Sequence, residues 1–323
     1  MKKYILHRVL LFIPVLIGIT LISFVIMHLT PGSPVDSVRM SPEVDRKAQQ
    51  RLYRTYGLDK PIHIQYANWL KRVVTLDFGR SFRDGRKVID KIAERLPATL
   101  LLNICSLVLI FIIALPAGII SAVKHNSFLD KVLAVGVFMG YSVPTFVVAL
   151  LLMDLFGVRL DWLPVSGMVS VNHEFLSTGR RILDIAAHLV LPVIASAIGG
   201  LAFMSRYMRS SMLEVIRKDY IKAARARGIC ENRVVFVHAL KNALIPLITI
   251  TGLLIPSLIG GSVVFETIFS WPGMGRLAYN AIMSRDYPVI MGVGVIMAVL
   301  TLMGNLLADI GYAAADPRIR YRK

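Results

Sequence analysis

The chain has 323 residues, of which 55% are hydrophobic and only 18% charged, and its mean hydropathy is +0.64. Soluble chains carry about 25% charge, and a globule of this length has no core large enough to hide six uncharged apolar blocks, so a water-soluble protein is excluded. A net charge of +17 in a soluble chain would point to nucleic acid, but between membrane spans the placement of charge matters more than its sum.

The first block, Val9–Met27, follows Lys2, Lys3 and Arg8. It is too long for a signal-peptide core, and Thr30-Pro31-Gly32-Ser33-Pro34 offers no small-residue cleavage site, so a retained span is expected. Residues 31–97 are expected to fold as a small helical cap outside the membrane. Ser41-Pro42 reads as an N-cap with a first-turn proline and Gly57 as a stop, with Val44, Ala48, Leu52 and Tyr56 recurring every four residues. A second helix is expected from Pro61, with Ile62, Tyr66, Trp69, Leu70 and Val73 on one face. A third stripe, Val88, Ile89, Ile92, Ala93 and Leu96, precedes Pro97 and is expected to lie flat on the membrane surface.

Five further spans are expected: Ala98–Val123, Val132–Met153, Leu189–Ser205, Asn242–Phe265 and Tyr287–Ala308. Prolines 14, 116, 144, 192, 246 and 256 mark places where these helices can kink. Asp154 is the carboxylate expected near a span interior, and no chain of buried ionisable groups suggests proton coupling. With a cytoplasmic amino terminus, the short inner segments and the tail hold eighteen Lys and Arg against five in the short outer loops, which places both termini inside. Trp69, Trp162 and Trp271 then all fall on the outer side. Cys105 and Cys230 lie in a span and in an inner loop, so neither a disulfide nor a metal pattern uses them.

The inner segment 206–241 is the most structured loop. Ser211-Met212-Leu213-Glu214 reads as a capping box opening a helix whose face holds Met212, Ile216, Tyr220, Ala223 and Ala224. Gly228 fits the left-handed position that ends such a helix, and Glu231 to Lys241 starts a second one running back to the membrane. On the outer side, Glu266 to Tyr287 holds Trp271, Pro272, Gly273 and Gly275, a compact turn expected to pack over the outer mouth with Trp271 anchored at the interface.

Lys222-Ala223-Ala224-Arg225-Ala226-Arg227-Gly228 resembles the glutamate-alanine-alanine loop of importer-type ATP-binding-cassette permeases. With Asp219-Tyr220-Ile221 before it and His238-Ala239-Leu240-Lys241-Asn242-Ala243 after it, the stretch is similar to the dipeptide/oligopeptide/nickel permeases. The similarity continues through Arg95-Leu96-Pro97-Ala98-Thr99-Leu100, Leu163-Pro164, Trp271-Pro272-Gly273-Met274-Gly275, Arg285-Asp286-Tyr287-Pro288 and Asp316-Pro317-Arg318-Ile319-Arg320. Where the superfamily carries Glu this chain has Lys222, a departure common in the peptide branch. The B-type dipeptide permease is the nearest resemblance, and a nickel or metal-chelate permease is the runner-up.

That resemblance implies an all-α importer permease with six transmembrane helices, in three sections: 1–30, 31–97 and a five-helix core 98–323. It implies a coupling helix docked in an ATPase groove through Tyr220, Lys222, Ala223, Ala224, Arg225, Arg227 and Gly228. The implied partners are a second, homologous permease, two ATPases, an extracytoplasmic substrate-binding protein and a peptide cargo. ATP belongs to the partners: the dipeptide Gly-Lys of a phosphate loop is absent, and no cofactor is expected on this chain. An intramembrane enzyme is not supported either. His173-Glu174 is followed by Phe-Leu-Ser, so the zinc motif fails, and the seven histidines show no ligand spacing.

Overall fold

The computed structural model describes residues 2–29, 60–254 and 256–315. The expected helix between Ser41 and Gly57 and the terminal Asp316-Pro317-Arg318-Ile319-Arg320 lie outside the described residues. All the long elements are helices, and among the described residues the only β-pairing is an isolated antiparallel bridge between Arg80 and Lys87.

Five helical segments are long and apolar enough to cross a membrane: His7–Ile26, Val88–Val123, Thr178–Ile216, Glu231–Ile268 and Tyr287–Ile310. The expected span Val132–Met153 is instead a bent pair, Phe128–Ser142 and Thr145–Arg159, meeting at 99°; counted as one span it brings the number to six. Pro144 explains the bend. Its ring disfavours helical backbone at the preceding residue, and Val143 is extended at φ −95° and ψ 126°.

The stripe before Pro97 also behaves differently from expectation. Val88–Val123 is one helix of 36 residues, running through Pro97. At 1.5 Å per residue it is about 54 Å long, well beyond the roughly 30 Å of hydrocarbon. Its stripe faces protein, because Val88 and Ile92 are buried in a core with Phe78, Met274, Val289 and Met291. That packing offsets the about 3 kcal/mol that an interior proline costs.

Packing divides the chain into two units. The first comprises the described residues of Met1–Thr99 with Ile259–Val263 and Gly273–Leu306. Its helix Ile62–Val74 buries Trp69, as the periodicity required, and Tyr66 meets Phe24 edge-on at 5.3 Å. Gly292 is compulsory here, since a Cβ would lie 2.5 Å from Val88 Cγ1 and 3.2 Å from Phe78 Cβ. The buried Asp286 carboxylate accepts the Ser81 hydroxyl and the Phe82 N–H (3.0 Å), which pins the 79–87 turn. Lys91 Nζ donates to Asp84 at 2.7 Å. Burial opposes ionisation of Asp84, but the Lys91 ammonium and the Arg86 N–H outweigh it and hold that carboxyl at about 2.

The second unit comprises Leu100–Leu258, Val264–Pro272 and the described part of Leu307–Lys323. Its spine is the helix Thr178–Ile216, 39 residues long, with Met204, Met208, Met212 and Val215 buried along one side. Ala114, Ala122, Val234, Val235, Ala239, Ala243 and Leu247 close around that row. A Cβ at Gly118 would lie 2.6 Å from Met208 Cβ and 2.7 Å from Ser205 O, so only glycine lets these helices meet. Arg209 binds the buried Asp130 carboxylate through Nε and a terminal nitrogen, both at 2.9 Å, while Ser121 and the Asn126 N–H complete its shell.

Two outcomes follow. Arg209→Met strands Asp130, which is 4% exposed, and is expected to cost about 3 kcal/mol or more, lowering the thermal midpoint of the purified chain. Adding Asp130→Asn is expected to recover most of the loss; an unchanged midpoint in the single variant contradicts the assignment. For topology, Arg83 and Ser210 are exposed whereas Ser81 is buried. In a background with Cys105 and Cys230 replaced, an impermeant thiol reagent on intact cells is expected to label Arg83→Cys and spare Ser210→Cys. Labelling at Ser210→Cys overturns the charge-based orientation.

Candidate functional site

The loop between the third and fourth of these long segments begins where Thr178–Ile216 outruns the bilayer. Its 39 residues extend about 58 Å. The helix does not restart at Ser211 as a capping box. Met208, Met212 and Val215 bury one continuous row across that point, and the Ser211 hydroxyl donates 2.8 Å to Ala243 O on the returning helix. Tertiary packing wins over the local capping signal because three buried side chains outweigh one cap of about 1 kcal/mol.

The break falls at Arg217–Lys218. Lys218 is extended (φ −67°, ψ 149°), and a short helix, Asp219–Ala226, follows with Asp219 in its first turn, where a carboxylate suits the helix dipole. Ile221 and Ala224 turn inward, at 0% and 8% exposure, against Val234, Val235 and Ala239. Tyr220, Ala223 and Arg227, at i, i+3 and i+7, form an exposed face, flanked by exposed Lys222 and Arg225. The two alanines thus part company: Ala223 is exposed, and Ala224 belongs to the interior.

Gly228 ends the helix as expected, at φ +73°. The Gly228 N–H reaches Arg225 O at 2.9 Å and the Ile229 N–H reaches Ala224 O at 3.4 Å, the paired closure of a Schellman turn. A Cβ at Gly228 meets nothing within 4 Å, so backbone strain is what keeps it glycine. The turn is clamped by Arg225, which holds Glu231 through two bonds of 3.0 and 2.6 Å. Its hydrogen bonds to Glu231 hold the Arg225 guanidinium above its ordinary value. The chain returns through Glu231–Arg233, a π-helical stretch Val234–Ala239 and the helix Leu240–Leu254.

The segment from Glu266 to Tyr287 differs from expectation in one respect. Trp271 is fully buried, with Phe269 and Glu266, and so is no interfacial anchor. Ser270 stands at φ +51° just before it. Gly273 precedes a helix Met274–Met283, Gly275 is buried in its first turn, and Pro272 is half-buried. The Met274 N–H donates to Thr99 Oγ1 at 2.7 Å. Tyr279, Ile282 and Met283 are the exposed side of that helix.

Sequence reasoning passed over two carboxylates, the buried Asp130 and the half-buried Asp184. Asp130 meets Arg209 across 79 positions, and Asp184 gathers Ser170 and His173, the latter at 2.7 Å, with His188 at 3.4 Å. Of these partners only His188, four residues after Asp184 on the same helix, stands at a readable spacing. Asp154, singled out before, is half-exposed and paired with Arg159 at 2.8 Å.

Two family profiles cover the chain. The one described as "Binding-prot-dependent transport system membrane comp, N-term" matches residues 1–103, and "Binding-protein-dependent transport system inner membrane component" matches residues 114–321. The oligopeptide transport system permease protein AppB of Bacillus subtilis (strain 168) is 46% identical over 322 residues, covering 99% of this chain and 100% of that protein. The dipeptide transport system permease protein DppB of Escherichia coli (strain K12) is 38% identical over 341 residues, covering 100% of both. A chain of the MetNI methionine ABC transporter, solved in inward-facing conformations, superposes with a TM-score of 0.56 at 20% identity. It covers 71% of this chain and 97% of its own, and it shows the shared fold.

The geometry separates neighbouring positions. Ala224→Glu buries a charge and is expected to lower the amount of folded protein in the membrane. Ala223→Glu leaves abundance unchanged, and Gly228→Ala costs about 1 kcal/mol of strain without a clash. Quantitative blotting of membranes checks all three; equal abundance of the two alanine variants contradicts the inward placement of Ala224.

Proposed function

The chain belongs to the binding-protein-dependent transport system inner membrane component family, and we propose on that footing that it is a pore-forming permease subunit of an ATP-driven importer of dipeptides and oligopeptides. It is a multi-pass membrane protein, and its expected home is a bacterial or archaeal cytoplasmic membrane. The observation that carries the cargo reading is the end-to-end match to peptide permeases at 38% to 46% identity. A nickel or metal-chelate cargo is not favoured, because the relatives named above are peptide permeases.

The coupling step follows from the loop's construction. A rigid short helix presents Tyr220, Ala223 and Arg227 outward, and its position is set by buried Ile221 and Ala224 and by the Arg225–Glu231 clamp. Such a knob suits a groove on a cytoplasmic ATPase: a small residue at the centre admits close approach, and basic neighbours add charge complementarity. Two ATPases, a second permease and an extracytoplasmic binding protein complete the proposed assembly. ATP binding closes the ATPase pair and carries the docked helices with it, shifting the permeases toward an outward-open state; hydrolysis returns them. We assign residues 31–97 to an outer cap and 98–323 to the permease core, with Glu266 to Tyr287 over the outer mouth.

With its partner subunits co-expressed, the wild-type chain is expected to co-purify with two ATPases and to import a labelled dipeptide. Ala223→Glu, normal in abundance, is expected to retain the ATPases about tenfold less well and to lose uptake in proportion. Gly228→Val, which re-aims the Asp219–Ala226 helix, is expected to do the same. Full uptake and full ATPase association in Ala223→Glu refute the docking role, and a wild-type chain that transports without any ATPase makes it a stand-alone carrier. On the outer side, Met283→Asp is expected to reduce binding-protein stimulation of ATP hydrolysis; unchanged stimulation removes that helix from the docking surface.

A further inference from the structure

An open cleft of about 220 Å³ lies in the second unit, among segments each apolar enough to cross the membrane. A single water needs only about 10–15 Å³ measured in this way, so the space fits a small solute. Its walls come from Val88–Val123, from Thr178–Ile216 and from the place where the fourth long segment is interrupted. Pro256, which has no N–H to continue the ladder, lies in a turn there, and helix follows from Ser257. Irregular backbone at membrane depth is tolerated where it is buried in protein or lines a cavity, and interrupted helices in transporters tend to sit at the cargo.

The polar groups on these walls share one character. Asn103 Nδ2 donates to Leu258 O at 2.6 Å, tying the interrupted segment to the neighbouring helix. Among the described residues that leaves the Asn103 amide with an acceptor oxygen and a second N–H to spare. Ser106 and Ser196 share a hydrogen bond of 2.6 Å, and Ser257 donates to Leu254 O at 2.6 Å; each hydroxyl keeps lone-pair capacity. Among the described residues no Asp, Glu, Lys, Arg or His lines the space. A charge brought here would lack a counter-charge, which is costly at this depth. An amide needs only a donor and an acceptor, and the walls hold both.

We propose that this cavity is a cargo contact on the translocation route, which takes the uncharged backbone amide of a short peptide between Asn103 and the Ser106–Ser196 pair. It rests on the peptide-importer reading above and adds to it a place and a chemistry. Peptide bonds are common to all such cargo, so a neutral amide contact is indifferent to side-chain identity. Gly200 sets the size of the space: a Cβ there would come within 2.3 Å of Ile110 Cδ1 and push that side chain aside.

The test uses the complete transporter with tri-alanine as the probe. Asn103→Leu removes the amide while keeping its bulk, and Ser196→Ala removes a hydroxyl. Each is expected to lower tri-alanine uptake roughly five- to tenfold while membrane abundance and ATPase association stay at wild-type levels. Ser257→Cys, in a background with Cys105 and Cys230 replaced, is expected to react with N-ethylmaleimide several times more slowly when tri-alanine is being transported. A purely structural role for Asn103 lowers abundance, assembly and uptake together and leaves the thiol unprotected, which overturns the proposal. So does undiminished uptake by both variants alongside normal wild-type transport, in which case the peptide-importer reading survives. A wild-type complex that imports no peptide overturns both.

Discussion

Hydrocarbon offers no hydrogen bonds, and the organisation of this chain follows from that constraint. Every peptide group at membrane depth must be satisfied by the chain itself, which makes the helix the default state of each apolar block and makes each departure from it costly. The departures are correspondingly few and repaired. Helix ends at Ser142, with the chain extended at Val143, and Asn103 donates to Leu258 O on the neighbouring segment. Buried charge is handled in the same way. Asp130 has Arg209, Ser121 and the Asn126 N–H, and Asp286 has Ser81 and the Phe82 N–H.

Within the second unit one element carries the proposed mechanics. The Thr178–Ile216 helix lines the cavity at Ser196 and Gly200, is gripped through Met204, Met208 and Met212, and ends at the loop that presents Ala223. From Ser196 to Ile216 is about 30 Å of helix. A methionine row fills space well but adapts readily, because its side chains are unbranched. Gly118 against Met208 brings the neighbouring helix to backbone contact at the same level, which limits relative sliding there. A push on the loop can therefore reach the cavity through a rod held at a few tight points.

The loop itself combines weak parts. The Arg225–Glu231 pair is more than a third exposed on both sides, and exposed pairs contribute about 1 kcal/mol at most. The Schellman closure at Gly228 adds a similar amount. Their value lies in orientation: the short helix is too brief to hold itself, and burial of Ile221 and Ala224 decides which side faces out. The docking role proposed for this loop needs a defined direction more than great stability, and this arrangement supplies it.

Much was readable from the residues alone. Apolar block length identified five of the spans, because the membrane thickness is a fixed ruler, but it did not show the bend within the block Val132–Met153. Gly228 announced a helix stop, because a left-handed residue is a local requirement that little else meets. The face of Ile62–Val74 carrying Trp69 followed from its period. Tertiary structure decided the rest. Ser211 could cap a helix or bond across to Ala243, and only the packing of Met208, Met212 and Val215 chose the second. Ala223 and Ala224 are chemically identical neighbours, so their opposite fates depended on where the returning π-helical stretch lay. Trp271 went inside, and the stripe before Pro97 met protein in place of lipid headgroups, since an apolar face does not name its partner. Local signals act over one or two helical turns; Asp130 and Arg209 stand 79 residues apart, and the cavity joins positions 103, 196 and 257, at separations where sequence spacing carries no information and only the folded chain brings the groups together.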